Sequence, residues 1–216
     1  MLVASSSLWL AETNCWVLAR EHGGPAIVID APPDGDGVAR LLARHDLTPV
    51  ALLATHGHVD HIGGAGSVAT RFALSAYIHP DDDWLALDPV EQLRNLWGMT
   101  PPGDFSSPER WEHLHHEQVL DLAGIRVGVI HTPGHTPGHC CFHVPAEGLL
   151  FSGDQLFAGS VGRTDLPRGD PVALMKSMGE RVLVLPPDTT VLPGHGPATT
   201  LARELESNPF LETFRT

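Results

Sequence analysis

An α/β fold is predicted by three features: alternating strand-like and helix-like stretches, apolar runs continuous enough to be buried strands, and turns after those runs that present histidine or aspartate. Residues 7–10 and 15–20 alternate or run apolar and are read as strands. Residues 26–30, Ala-Ile-Val-Ile-Asp, form a third that is apolar enough to be central. Asp-Ala-Pro-Pro at 30–33 stops it, and Asp36 is expected to cap a helix over 37–45. Residues 50–55 give the next strand, 65–75 a helix and 76–79 another strand.

The character changes between 80 and 118, where acidic, Pro-Gly and Ser-Ser-Pro punctuation separates short segments carrying Trp84, Trp97 and Trp111. This stretch is expected to be an insertion of loops and short helices, either a wall over a site or a surface elaboration. His113, His115 and His116 lie in it without a partner motif and are read as surface residues. Strands return at 126–131, 140–144 and 148–152. A helix over 171–179 follows Asp170, and strands are expected at 182–185 and 190–192. No linker or low-complexity segment divides the chain, so one domain is expected over 1–216.

Composition narrows the class. With 216 residues and 42% apolar content the chain can bury a full core, and no stretch is apolar enough to span a membrane. A formal charge of −13 argues against a nucleic-acid partner. Cys15, Cys140 and Cys141 are too few for a disulfide framework and are expected as buried thiols, the last two on opposite faces of one strand. The first ten residues lack a basic region followed by a long apolar one, so a cytoplasmic protein, monomeric or homodimeric, is expected.

The densest chemistry lies in Thr55-His56-Gly57-His58-Val59-Asp60-His61-Ile62-Gly63-Gly64, directly after the 50–54 run. Imidazoles and a carboxylate at the carboxyl end of a strand face the crevice where α/β sites form, and they suit zinc, iron or manganese. On an extended turn, residues two apart reach one ion while their neighbours reach a second. Three further strand-end loops repeat the theme. Thr132-Pro-Gly-His135-Thr-Pro-Gly-His139 projects His135, with His131 and His139 as alternatives or, for His139, a structural hydrogen bond. Gly153-Asp154 supplies a carboxylate, and Pro193-Gly194-His195 another imidazole.

Taken together, His56-x-His58-x-Asp60-His61 with His135, Asp154 and His195 resembles the metallo-β-lactamase superfamily over nearly the whole chain. The resemblance implies a four-layer αββα sandwich with two divalent metal ions at one edge, zinc first and iron or manganese as alternatives. His56, His58 and His135 would hold one ion, Asp60, His61 and His195 the other, and Asp154 would bridge them. True zinc β-lactamases commonly carry Cys at the place of Asp154. Gly153-Asp154-x-Leu156-Phe157, Gly159-Ser160-x-Gly162-Arg163 and Ser207-Asn208-Pro209-Phe210 instead resemble glyoxalase II, the hydroxyacylglutathione hydrolases, in their short bacterial form.

Two departures matter. The helical C-terminal domain that binds glutathione in that family has little room after Phe210, a truncated tail. Arg163 is followed by Thr164-Asp165, where the family places a tyrosine. The resemblance therefore implies hydrolysis of a small-molecule thioester by a metal-bound hydroxide, with the thiol carrier left open. Asp60 is expected to orient the nucleophile as well as ligate, and Arg163 to bind a substrate carboxylate or to form a structural salt bridge. A persulfide dioxygenase, with one iron on His56, His135 and Asp154, is the alternative, since Gly162–Asp165 resembles that family too. Hydrolysis of lactones or other esters is a further one.

Overall fold

The computed structural model describes residues 1–215; Thr216, the end of the expected domain, and the Trp97 side chain lie outside that description. In chain order the elements are β1 (Leu2–Leu8), β2 (Thr13–Ala19), β3 (Pro25–Ile29), α1 (Gly35–Arg44), β4 (Thr48–Leu53), α2 (Val59–Ile62), α3 (Ala65–Phe72), β5 (Ser75–Ile78), α4 (Asp83–Ala86), α5 (Pro89–Trp97) and β6 (Trp111–His113). The second half supplies β7 (Val119–Leu122), β8 (Ile125–His131), β9 (Cys140–Val144), β10 (Leu149–Gly153), the short hairpin β11 (Leu156–Phe157) and β12 (Ser160–Val161), α6 (Pro171–Ser177), β13 (Thr190–Pro193), β14 (Thr199–Thr200) and α7 (Leu201–Ser207).

Two six-stranded sheets result, ordered β1-β2-β3-β4-β5-β6 and β14-β13-β10-β9-β8-β7. Alternation along the strands assigns each residue to a layer. Leu18, Ile27, Ile29 and Leu53 meet Val127, Phe142 and Phe151 between the sheets. Their neighbours Val17, Val28 and Leu52 pack outward on Val38, Leu41 and Val68 of α1 and α3. Cys141, Leu150 and Val191 pack on Met178, Val182 and Leu201 on the other side. These strands are apolar throughout because both of their faces are covered. The outcome is the αββα sandwich. Cys140 and Cys141 do face opposite ways, and burial pushes the Cys141 thiol up to about 12, so neither behaves as a reactive thiolate.

Several boundaries differ from expectation. The first strand runs Leu2–Leu8 rather than 7–10, and a turn with positive φ at Trp9 and Glu12 follows it. Asp34, not Asp36, caps α1: its Oδ1 accepts from Gly37 N at 2.8 Å, while Asp36 pairs with Arg71. A cap sits just outside the helix, two or three residues before the amide it satisfies, and Asp36 is already inside the first turn. The helix expected over 65–75 ends at Phe72, where Ala73 turns left-handed and frees Ser75 for β5. The strand expected at 182–185 is absent. Residues Met178–Val182 continue α6 as a π-helical turn, because Leu174, Met178 and Val182 recur at helical spacing and bury one stripe on the second sheet. Four apolar residues are too few for periodicity to separate the two cases.

The 80–118 stretch does more than decorate the surface. It carries α4 and α5, and its end supplies β6, the parallel edge strand of the first sheet beside β5.

Candidate metal centre

Direction of travel gathers the loops. β10 pairs parallel with β13, and β8 runs the same way because β9 is antiparallel to both β8 and β10. The carboxyl ends of β8, β10 and β13 therefore open on one edge of the second sheet. β4 of the first sheet ends beside them, and an antiparallel bridge between Thr13 and His195 joins the two sheets there. All seven ligand candidates named from sequence meet at this edge.

His56 lies in a bend after β4 and His58 on extended chain, whereas Asp60 and His61 lie on the single helical turn α2, not on an extended turn. Nitrogens of His56, His58 and His135 form one triangle: His56 Nε2 is 3.0 Å from His58 Nδ1, His58 Nδ1 is 2.9 Å from His135 Nε2, and His135 Nε2 is 3.2 Å from His56 Nε2. Asp60 Oδ2, His61 Nε2 and His195 Nε2 form a second, with sides of 3.4, 3.3 and 3.2 Å. Asp154 lies between them, its Oδ1 3.3 Å from His61 Nε2 and its Oδ2 3.5 Å from His135 Nε2 and 3.7 Å from His195 Nε2.

These distances test whether cations belong there. An imidazole nitrogen has one lone pair or one hydrogen in its ring plane, so it cannot satisfy two neighbours of its own kind at once. Three such nitrogens facing one another need a shared acceptor of lone pairs. Tetrahedral nitrogen ligands at about 2.0–2.1 Å from zinc stand roughly 3.3 Å apart, close to both triangles. Asp154 Oδ1 is buried and no hydrogen bond reaches it among the described residues, which an ion would remedy. The residues fit a pair of ions.

The remote nitrogens are fixed in turn. His56 Nδ1 lies 3.0 Å from Thr55 Oγ1, which itself donates to Asp30 Oδ2 at 2.8 Å. His61 Nδ1 donates to the same Asp30 Oδ2 at 2.8 Å, and His135 Nδ1 donates to the carbonyl of Arg163 at 2.7 Å. Each of these bonds orients a ring and leaves its inner nitrogen free to ligate. Asp30 holds φ +58 at the end of β3, a conformation aspartate tolerates, and this aims its carboxylate across to Thr55 and His61. Glycine is required beside the site. A Cβ on Gly194 would fall 2.4 Å from Asp154 Oδ1, and Gly153 has φ +49 with His139 Nε2 where its side chain would go.

Electrostatics divides the ligands. Burial, then His61, pushes the His56 imidazole well below its ordinary value; burial and His135 push His58 down to about 3. Burial also opposes charge on His61, but Asp60, Asp154 and Asp30 outweigh it and raise that imidazole. His195 is raised likewise by its bond to Asp60 and by Asp154, against burial. Asp60 and Asp154 are held well below the usual carboxylate range, since their histidine neighbours overcome the cost of burial.

Other residues are sorted plainly. His139 is wholly buried and makes a structural bond: its Nε2 accepts from Asp154 N at 3.0 Å, while Thr132 Oγ1 lies 2.8 Å from its Nδ1. His131 faces away, donating to the Pro137 carbonyl at 2.8 Å. It forms a looser trio with His79 and Asp81, but the two rings stack at 10°, so their lone pairs run parallel instead of converging. Arg163 sits on the rim of the cavity over the site, its guanidinium engaged twice by Asp165, at 2.6 and 2.7 Å.

Four supporting residues were not singled out from sequence. Besides Asp30, these are Thr13, whose Oγ1 donates to Asp60 Oδ2 at 2.9 Å, and two side chains of the 80–118 stretch. Asp82, within an acidic triplet, accepts from Gly57 N, Thr136 Oγ1 and Gly138 N, tying the His58 loop to the His135 loop. Gln92 accepts from Val59 N at 3.0 Å and donates to Gly57 O at 2.9 Å. The sequence signal for Asp30 was a carboxylate closing a buried strand; for the others there was none.

Residues 9–195 match the family model of the metallo-β-lactamase superfamily. The chain belongs to that superfamily. Among its members, the protein named hydroxyacylglutathione hydrolase GloC in Haemophilus influenzae is 34% identical over 202 residues, 94% of each chain. The crystal structure of the BLEG-1 B3 metallo-β-lactamase matches with a TM-score of 0.89 and 36% identity, over 98% of this chain and 100% of that one. The structure of TTHA1623, in a di-iron-bound form, matches with a TM-score of 0.85 and 38% identity, over 96% and 100%. The superfamily fold thus carries, in this chain, histidines and aspartates placed for binding metal.

Proposed function

We propose that the protein is a metal-dependent hydrolase of thioesters that holds two divalent ions, zinc first and iron or manganese as alternatives. The observation that carries this reading is the pair of ligand triangles meeting at Asp154. His56, His58 and His135 would hold one ion, Asp60, His61 and His195 the other, with Asp154 shared. Bound there, such ions supply a water acidified to a pKa of about 7 and a Lewis acid for the carbonyl oxygen. Asp60 stays ionised, so at neutral pH it accepts a hydrogen bond and orients the attacking water rather than storing a proton. Its second duty as ligand is compatible with this, since Thr13 already fixes Oδ2. A thiolate leaves without a strong general acid, and neither Ser nor Cys is needed as nucleophile. Arg163 lies on the rim as a cation already paired with Asp165, so a role in binding a substrate carboxylate competes with that ion pair.

The thioester reading is supported by the glyoxalase II-like motifs and by the GloC relative. The complete second triangle offers ligands for a further ion. A persulfide dioxygenase, which keeps the same residues, would hold a single iron on His56, His135 and Asp154, so the metal count separates the two. The BLEG-1 likeness adds β-lactams to the substrates worth trying. Metal analysis of purified protein, with thioester and β-lactam hydrolysis and persulfide-dependent oxygen uptake on the same sample, tests the proposal. About two ions per chain with thioester turnover is the expected result. About one iron per chain with oxygen uptake overturns it.

The two sets should also separate on acidification. His61 and His195 are raised and must shed protons to ligate, whereas His56 and His58 are lowered and already neutral. As pH falls from about 8 to about 5, the Asp60 set should lose metal first, by about tenfold in affinity per pH unit for each proton displaced. Stepwise dialysis with elemental analysis, together with calorimetry in buffers of different ionisation enthalpy, reads both the order and the protons. Loss from the His56 set first would refute it.

A further inference from the structure

The cavity over the two triangles has a volume of about 430 Å³, within the range that holds a small organic ligand. Apart from the ligand candidates its walls are mostly apolar and include Trp9, Leu96, Phe157, Val161 and Leu166. Arg163 is the cation among the lining residues, and Asp165 already accepts from its Nε and Nη2. A second cavity of about 230 Å³ shares His58, Gln92, Leu96 and Leu166 with the first, and its outer rim carries Asp88 and Glu91.

We infer that the cavity takes a thioester whose acyl group is apolar and whose thiol carrier bears no net negative charge. The inference rests on the thioester reading above and narrows it. The carboxylates of a carrier such as glutathione would find on these walls one arginine whose charge Asp165 already balances, and would face Asp88 and Glu91 beyond. An acyl chain laid on Leu96 and Phe157 gains burial with each methylene, which transfer data put at roughly fourfold in binding when fully buried. Leu93 is wholly buried beneath this surface, while Leu96 is 45% exposed and open to contact.

Two series on the metal-loaded protein test this. The first is turnover of acetyl, butyryl, hexanoyl and octanoyl thioesters, each on N-acetylcysteamine and on glutathione. The second is calorimetric binding of the matching S-alkyl thioethers, which cannot be hydrolysed. The expected result is kcat/KM and affinity rising about two- to fourfold per methylene, with the neutral carrier ahead of glutathione by about tenfold or more. Leu96→Asp should flatten both series while metal content is kept. A flat thioether series, or glutathione preferred at every chain length, overturns the inference whatever the turnover. Thioethers that bind more tightly with length while no thioester is hydrolysed overturn the hydrolase reading alone.

Discussion

If the protein is the two-metal thioester hydrolase proposed above, Asp154→Ala is expected to cost it both metals and to lower thioester kcat/KM by about a thousandfold or more. The size follows from position. Asp154 approaches both triangles, with one oxygen 3.3 Å from His61 Nε2 and the other 3.5 Å from His135 Nε2. Its removal leaves each ion with three ligands and no shared anion, and leaves His61 with fewer of the carboxylates that balance it. The backbone should survive, because the Asp154 amide, not its side chain, bonds His139. Circular dichroism and a thermal melt check folding, elemental analysis the metal and a thioester assay the rate. Asp154→Asn, nearly isosteric, should fall between the two. A folded, active, metal-replete alanine variant would show that Asp154 does not bridge.

The second large effect is expected from a residue that touches no metal. Asp82→Asn should weaken metal binding by the His56, His58 and His135 set by about 10–100-fold while sparing the other set. Oδ2 accepts from Gly57 N and Thr136 Oγ1, at 2.9 and 2.6 Å, and Oδ1 accepts from Gly138 N at 2.7 Å. An amide has one acceptor oxygen, so in either orientation its NH₂ meets at least one donor and a bond is lost. Burial, opposed by these bonds, raises the Asp82 carboxyl, so a neutral replacement is not penalised for lacking charge. What it loosens is the spacing between the loops that carry His58 and His135. Metal titration resolving two affinities is the measurement, and equal weakening of both would show a general loss of fold instead.

The candidate site was legible because its ligands sit in short, punctuated turns, each directly after an apolar run. Gly57, Gly134, Gly153 and Gly194 flag backbone that must turn sharply or pass close to another loop, so His56, His135, Asp154 and His195 stand out without knowledge of the packing. The layers were legible for the same reason: Ala26–Ile29 and Leu150–Phe151 are apolar on both faces. Asp82 was not legible. Beside Asp81 and Asp83 it looks like solvated charge, and only contacts 25, 54 and 56 residues away make it structural. Gln92 and β6 share that difficulty, since each acquires its role across the fold. Arg163 was a choice between substrate and salt bridge, and Asp165, two residues on, holds its guanidinium. The 182–185 error came from a run whose neighbours, Leu174 and Met178, supply the decisive period.

The loop bearing His56 to His61 leaves the first sheet, while those bearing His135, Asp154 and His195 leave the second. Ions held between them would staple the two halves of the sandwich, much as a crosslink would. Binding restricted to the folded chain adds about 2.7 kcal/mol when free ion stands at about 100 times Kd. Copies without metal would open more readily at this edge, where the Thr13–His195 bridge and the Cys140–Thr55 backbone bond join the sheets, and would offer proteases a foothold. Under metal starvation the pool would then shrink by turnover rather than persist as inert apoprotein, so its abundance would track the ion supply.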